Sequence, residues 1–143
     1  MDDRHDHARA ALEEVCACAR GDLARARDLY AADFIDHVNT LEFHGQHGIA
    51  ESVALYRAVF GDLQIRVDDQ VSDGDRVVSR WTLRGTHRGR PVTLPGITIS
   101  RFADGKIAED WTVCDNAALL QQLGPRRGLA LAARWLSGRL RPA

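Results

Sequence analysis

From Arg76 to Arg84 the sequence RVVSRWTLR alternates, with Val77, Ser79, Trp81 and Leu83 on one face of an extended chain and Arg76, Arg80 and Arg84 on the other. A strand patterned this way is half-buried, so it belongs to a sheet with one face on a core and the other in water. Leu63, Ile65 and Val67 repeat the alternation upstream, and Ser72-Asp73-Gly74-Asp75 supplies the turn between the two runs. A third strand runs through ITISRF, and Asp104-Gly105 turns it into a fourth, Ile107 to Val113.

This meander is preceded by helical spacing. Ala8, Leu12, Val15 and Ala19 mark a first helix; Gly21 stops it and Asp22 offers an N-cap to a second helix carrying Leu23, Ala26 and Leu29. After an irregular segment, 33–48, Ile49, Val53, Tyr56 and Phe60 mark a third amphipathic helix whose stripe should cover the sheet. Helices followed by a long antiparallel meander predict an α+β fold in which a curved sheet wraps around the helices, leaving a concave space for a ligand.

At 143 residues with 45% hydrophobic residues, the chain has the size of one domain with one core. Its net charge of -1 provides no field for nucleic acid or acidic lipid. No run approaches the roughly 18 apolar residues of a membrane span, and the start MDDRHDHARA lacks the features of a signal peptide, which predicts a cytoplasmic protein. Cys16 and Cys18 point in different directions on the first helix and Cys114 is isolated, so no zinc site is expected; His5-Asp6-His7 reads as a solvated tail rather than a metal site. Beyond Gly124, a suitable helix C-cap, residues 125–143 read as a basic amphipathic helical extension to the 1–124 domain, with Leu129, Ala132, Ala133, Leu136 and Leu140 on one face and Arg134, Arg139 and Arg141 off it. Such a helix can lie on a membrane or bind a partner, but with so few cations it is expected to pack on its own domain or across a dimer.

The segments YAADFIDH, SDGDRVVSRWTLRGTHRG and ISRFADGKIAEDWTVCDNAALLQQLG, in this order, resemble the SnoaL-like polyketide cyclases of the nuclear transport factor-like superfamily. The resemblance runs from Ala8 to Gly124. It implies a cone-shaped barrel of curved antiparallel sheet around N-terminal helices, enclosing an apolar pocket for a natural-product intermediate. It also implies a protein that is often a homodimer and needs no cofactor, as in antibiotic biosynthesis, where a carboxylate moves a proton during aldol closure. Laid without gaps on these cyclases, their acid/base Asp falls on Thr112 and its partner His on Thr98; neither Thr is a general base alone, though both hydroxyls can hydrogen-bond a ligand oxygen.

The chemistry must therefore be sought elsewhere. Asp36-His37 ends the irregular segment where ketosteroid isomerase-like relatives place their catalytic Asp, so His37 is a candidate proton carrier with Asp36 as its holder, or Asp36 is itself the base. In an extended chain only one of the two points inward. The alternative is a His that ties down a loop. Asp115 is either an N-cap for the final helix or a carboxylate at the pocket rim, with Trp111 walling the cavity from the same strand face. Glu109 and Asp110 read as a solvated face or partners of Arg84 and Arg101. His87 reads as a rim residue or an exposed turn histidine, and Trp81 and Tyr56 as pocket walls. His44 and His47 make no convincing metal site.

No nucleophile elbow, phosphate loop or basic aromatic stripe is present. The leading expectation is a cofactor-independent cyclase or isomerase acting on an apolar polyketide-like molecule, with His37, Asp36 and Asp115 catalytic and Tyr56, Trp81, His87, Thr98, Trp111 and Thr112 binding substrate. The alternatives are a non-catalytic small-molecule-binding or assembly module, and an epoxide hydrolase-like enzyme.

Overall fold

The computed structural model describes residues 2–16 and 23–138. Cys18, Ala19, Gly21 and Asp22, expected around the first helix boundary, and Arg139, Leu140 and Arg141, expected in the extension, lie outside the described residues.

Helix α1 (Asp3–Ala10) is capped by the Asp2 carboxylate, which accepts from the Arg4 backbone N–H at 3.1 Å. The expected tail His5-Asp6-His7 is thus helical, and His7 Nε2 lies 2.8 Å from the Leu29 carbonyl oxygen. The chain continues as a π-helical stretch, Ala11–Cys16, which buries Ala11, Leu12 and Val15. Helix α2 (Ala24–Leu29) leads into β1 (Tyr30–Val38), β2 (Leu41–His44) and α3 (Gly45–Val59). Residues 33–48 are therefore not irregular. The inward positions of β1 are Phe34, Asp36 and Val38, and the acidic residue among them interrupts the apolar alternation that marks a strand.

Strands β3 (Gly61–Asp73), β4 (Arg76–His87), β5 (Arg90–Ala103) and β6 (Lys106–Cys114) form the meander, and α4 (Asn116–Leu136) closes the described chain. The six strands lie in the order β2-β1-β6-β5-β4-β3 in a curved, unclosed sheet. This is the expected curved sheet with helices; its pairs are antiparallel except β1 with β6, which is parallel, and among the described residues no pairing joins β2 to β3. Alternation holds along β4, where Val77, Ser79, Trp81 and Leu83 are buried, and along β5, where Val92, Leu94, Thr98, Ser100 and Phe102 are buried. Gly96 pairs with Trp81 across β4 and β5, and a Cβ on Gly96 would lie 2.3 Å from the indole. Glycine there lets the buried ring cross the neighbouring strand.

One irregularity sets up the site. Phe102 pairs with Ile107 but Arg101 pairs with Glu109, so Ala108 is an extra residue on β6. The bulge reverses the parity of the strand: Ile107 points inward, and beyond it Asp110, Thr112 and Cys114 do so in place of Glu109, Trp111 and Val113.

Helix α4 is broken at Gly124 (φ 77°), and Pro125 opens its second arm. On that arm Leu131 is buried and Leu129 exposed, so the inward stripe is rotated from the expected Leu129, Ala132, Ala133, Leu136 face. No helix of the described residues is long and apolar enough to cross a membrane.

Candidate active site

Two adjoining cavities lie between the concave sheet face and the helices. The inner one, about 30 Å³, is lined by Asp36, Ser52, Trp81, Thr98, Asp110 and Thr112 among others; the outer, about 250 Å³, is walled by apolar side chains including Leu55, Leu94, Leu119 and Leu131. Val38 and Tyr56 line both, so the cavities meet there. The inner space has room for one small polar group, and the outer has the volume and apolar lining of a small-molecule pocket.

Asp36 on β1 and Asp110 on β6 are register partners across the parallel pair, and both are buried. Among the described residues no Arg, Lys or His lines the inner cavity. Burial pushes the Asp36 carboxyl up to about 6, against the opposing effects of a hydrogen bond with Ser52 and the nearby His37. Asp110 rises well above the usual carboxylate range through burial first and the Asp36 charge second, with a Ser100 hydrogen bond opposing. Among the described residues Asp110 Oδ1 has no hydrogen-bond partner. Burial of both carboxyls, and for Asp110 the Asp36 charge as well, therefore favours retention of a proton by the pair. Two carboxyls side by side in a small buried cavity, both shifted upward, are the kind of group that acid/base chemistry uses.

The cavity wall beside them is a hydrogen-bonded relay. Trp81 Nε1 donates to Thr98 Oγ1 at 2.9 Å, and Thr98 Oγ1 lies 2.9 Å from Thr112 Oγ1; all three residues are buried. Tyr56 Oη is 3.5 Å from Cys114 Sγ. Burial pushes the Cys114 thiol up, which makes it a poor nucleophile.

Other expected site residues lie away from the carboxylates. His37 points to the outer sheet face, where Nε2 lies 2.8 Å from Glu109 Oε1 and Nδ1 3.2 Å from Glu42 Oε2. Its ring stacks on Trp111 at 5.6 Å, and Arg76 covers the indole from 5.5 Å. Trp111 therefore does not wall the cavity; the bulge at Ala108 turns it outward. Asp115 Oδ1 accepts from the Ala118 N–H at 2.9 Å as the α4 N-cap and lines neither cavity. His87 is neither rim nor exposed turn: it is buried at the end of β4 with Nδ1 2.7 Å from the Val59 carbonyl oxygen, tying that strand to the end of α3.

Glu109 and Asp110 divide. Glu109 faces outward and pairs with Arg101 at 3.1 Å, as expected, whereas Asp110 is buried rather than solvated or paired with Arg84. A signal for Asp110 was present in the sequence: Thr98 and Thr112 can both face inward only if β6 carries a bulge after the DG turn, and that bulge brings Asp110 in with them. His44 and His47 pair with Glu42 and Glu51 at 2.7 and 2.9 Å, and among the described residues no group of His, Cys, Asp or Glu could hold a metal ion.

Residues 6–123 match the family model for SnoaL-like polyketide cyclases. Among solved structures the chain is similar to wild-type IdmH of Streptomyces antibioticus, a proposed polyketide cyclase, with 31% identity over 87% of this chain and 100% of that one and a TM-score of 0.74. It is also similar to TsrD of Streptomyces laurentii, with 26% identity over 84% and 91% of the two chains and a TM-score of 0.67. AclR of Streptomyces galilaeus, a proposed hydroxylase, shares 26% identity over 82% and 95%, with a TM-score of 0.65. No curated protein matches the chain.

Proposed function

The chain belongs to the SnoaL-like polyketide cyclase family, and from that premise we propose that it is a cofactor-independent cyclase or isomerase of a polyketide-like intermediate, with Asp36 as base and Asp110 as proton donor. The observation that carries this reading is the buried carboxylate pair, raised above the usual range on both sides. A substrate carbonyl entering the inner cavity accepts a hydrogen bond from the protonated Asp110. Asp36 removes a proton from the adjacent carbon, and the electron pair moves onto the carbonyl oxygen as an enolate stabilised by that donor. In cyclisation the enolate carbon then bonds to a second carbonyl carbon of the same molecule, and the resulting alkoxide takes the proton back from the pair. In isomerisation the proton returns to a different carbon.

Two threonines at the positions where these cyclases keep an acid and a histidine fit this assignment, because the proton carriers sit on β1 and two residues earlier on β6. The Thr98–Thr112–Trp81 relay shapes the wall, and the outer cavity folds the substrate into a reactive conformer. The name of IdmH supports the polyketide class. In this reading the enzyme is cytoplasmic, serves natural-product biosynthesis and is a homodimer, for which exposed Ile97 and Val113, partners on the outer sheet face, offer a surface.

Proton abstraction can be tested without the native substrate. The protein should accelerate deuterium exchange at the activated carbons of 2-tetralone in heavy water, followed by proton NMR, and Asp36→Asn should abolish the acceleration while keeping the fold. Exchange no faster than in buffer would favour the binding-module reading and sink this one.

A further inference from the structure

The second arm of α4, from Pro125 onward, lies outside the residues matched by the family model, yet Leu131, Ala132, Trp135 and Leu136 line the outer cavity. Its position is built in. Gln122 clasps the Thr93 backbone, Oε1 accepting from the N–H at 2.8 Å and Nε2 donating to the carbonyl oxygen at 2.6 Å, which fixes the first arm on β5. Gly124, at φ 77°, reverses the direction, and Gly128 packs so close to the first arm that a Cβ would lie 3.1 Å from the Leu120 carbonyl oxygen. The second arm thus folds back across the opening and carries Leu131 into the core.

The lining has a chemical signature. None of the described residues around the outer cavity is charged: its polar members are Asn39, Thr40, Tyr56, Cys114 and Asn116, and Arg126, Arg127 and Arg134 of the second arm are not among the lining residues. At the inner end stand two carboxylates, and among the described residues no cationic side chain lines that space. An anionic ligand would meet like charge at one end and no counter-charge at the other, and would lose its hydration on entry.

We propose that the arm beyond Gly124 is the specificity wall of this enzyme, closing the outer cavity around uncharged, hydrocarbon-rich molecules that lead with a single hydrogen-bonding oxygen. The inference rests on the carboxylate-pair reading for the charge preference, and on the geometry of α4 alone for the wall. Ala132 is the position where added bulk fills the cavity. Trp135, half-exposed at the rim, is the position where lost bulk widens it.

Calorimetric titration of the full chain with 2-naphthol and 2-naphthoate, which share a ring system and differ in charge at neutral pH, tests both parts. The wild type should bind the naphthol and discriminate against the naphthoate by roughly tenfold or more. Ala132→Phe should weaken the naphthol by roughly tenfold with an unchanged unfolding midpoint. Trp135→Ala, the check should Ala132→Phe fail to fold, should bind 1-hydroxypyrene better relative to naphthol than the wild type does. Asp36→Asn should keep naphthol binding and narrow the gap to naphthoate.

No naphthol binding by the wild type, equal binding of the two probes, or wild-type selectivity in both folded wall variants overturns the proposal. A gap unchanged by Asp36→Asn, alongside a block by Ala132→Phe, removes the carboxylate-pair reading and leaves the wall standing.

Discussion

Strands β1 and β6 carry acidic residues on both faces, and the two faces treat them in opposite ways. Inward, Asp36 and Asp110 are buried in a cavity that no Arg, Lys or His of the described residues lines, and their carboxyls are pushed up. Outward, one residue away on each strand, His37 and Glu109 meet at 2.8 Å with Arg101 beside them, and the Glu109 carboxyl is held below its ordinary value, chiefly by the hydrogen bond with His37. Carboxylates are thus buried with raised values on the inner face and tied into a surface ion-pair cluster on the outer one. Environment, set by strand parity, decides the chemistry.

The sharpest way to break this comparison is to substitute neighbours. Asp36→Asn should lower catalysed deuterium exchange by roughly 10²–10⁴-fold, the range of a general base, while His37→Asn should leave the rate within about twofold of wild type, since on the wet face it meets neither reacting group. A large loss on removing His37, measured on protein whose circular dichroism matches wild type, would return the proton to the imidazole and undo the assignment. The rate should rise with pH as Asp36 ionises near 6 and fall where Asp110 loses its proton.

The second test is thermodynamic and turns on sign. The folded-state value of Asp36, about 6, lies above its ordinary 3.8, so the folded protein holds the proton more tightly than the unfolded chain does. Its burial costs nothing below the ordinary value, and the full penalty of about 2–3 kcal/mol is present once pH exceeds the folded value. Urea unfolding should therefore show Asp36→Asn gaining stability relative to wild type as pH rises from 4 to 8. A difference that is flat in pH would contradict the buried, unpaired carboxylate.

Much of the fold was legible because its signals are local: the alternation of β4, the DG turn, and the helical stripes of Val15 and Val53 each require only nearest-neighbour periodicity. β1 was hidden because Asp36 occupies a core-facing position where the pattern asks for an apolar residue. The inward turn of Asp110 and the outward turn of Trp111 follow from one extra residue, Ala108, whose effect on parity appears only when β6 is paired with β5. The outer cavity depends on two arms of α4 meeting across Gly124, a tertiary contact that Gly124 and Pro125 announce as a break without saying where the second arm goes.

A smaller effect is expected from the wall of the inner cavity. Thr98→Val keeps the shape but removes the acceptor for the Trp81 indole N–H and the partner of Thr112, leaving buried polar groups unmatched. That should cost about 1–3 kcal/mol in urea unfolding. Thr112→Val leaves the Trp81–Thr98 bond intact and should cost less. Equal losses would mean that the threonine pair, rather than the indole bond, holds this wall.

The smallest effect belongs to the outer face. Glu109→Gln removes the charge that pairs with His37 and Arg101 while keeping a side chain of the same length. Partly exposed pairs of this kind contribute about 0–1 kcal/mol, reduced by salt. The sign opposes that of Asp36: a carboxyl held below its ordinary value adds stability above that value and loses it as pH falls through the folded one. The Glu109→Gln penalty should thus be present at pH 7 and vanish in acid, where wild type and variant converge. Asp36→Asn and wild type also converge in acid, but from the other side, the variant having been the more stable at pH 7. Curves that separate in opposite directions from a common acid limit would show one strand pair carrying two electrostatic regimes on its two faces; curves that separate in the same direction would show that the inner pair is hydrated after all.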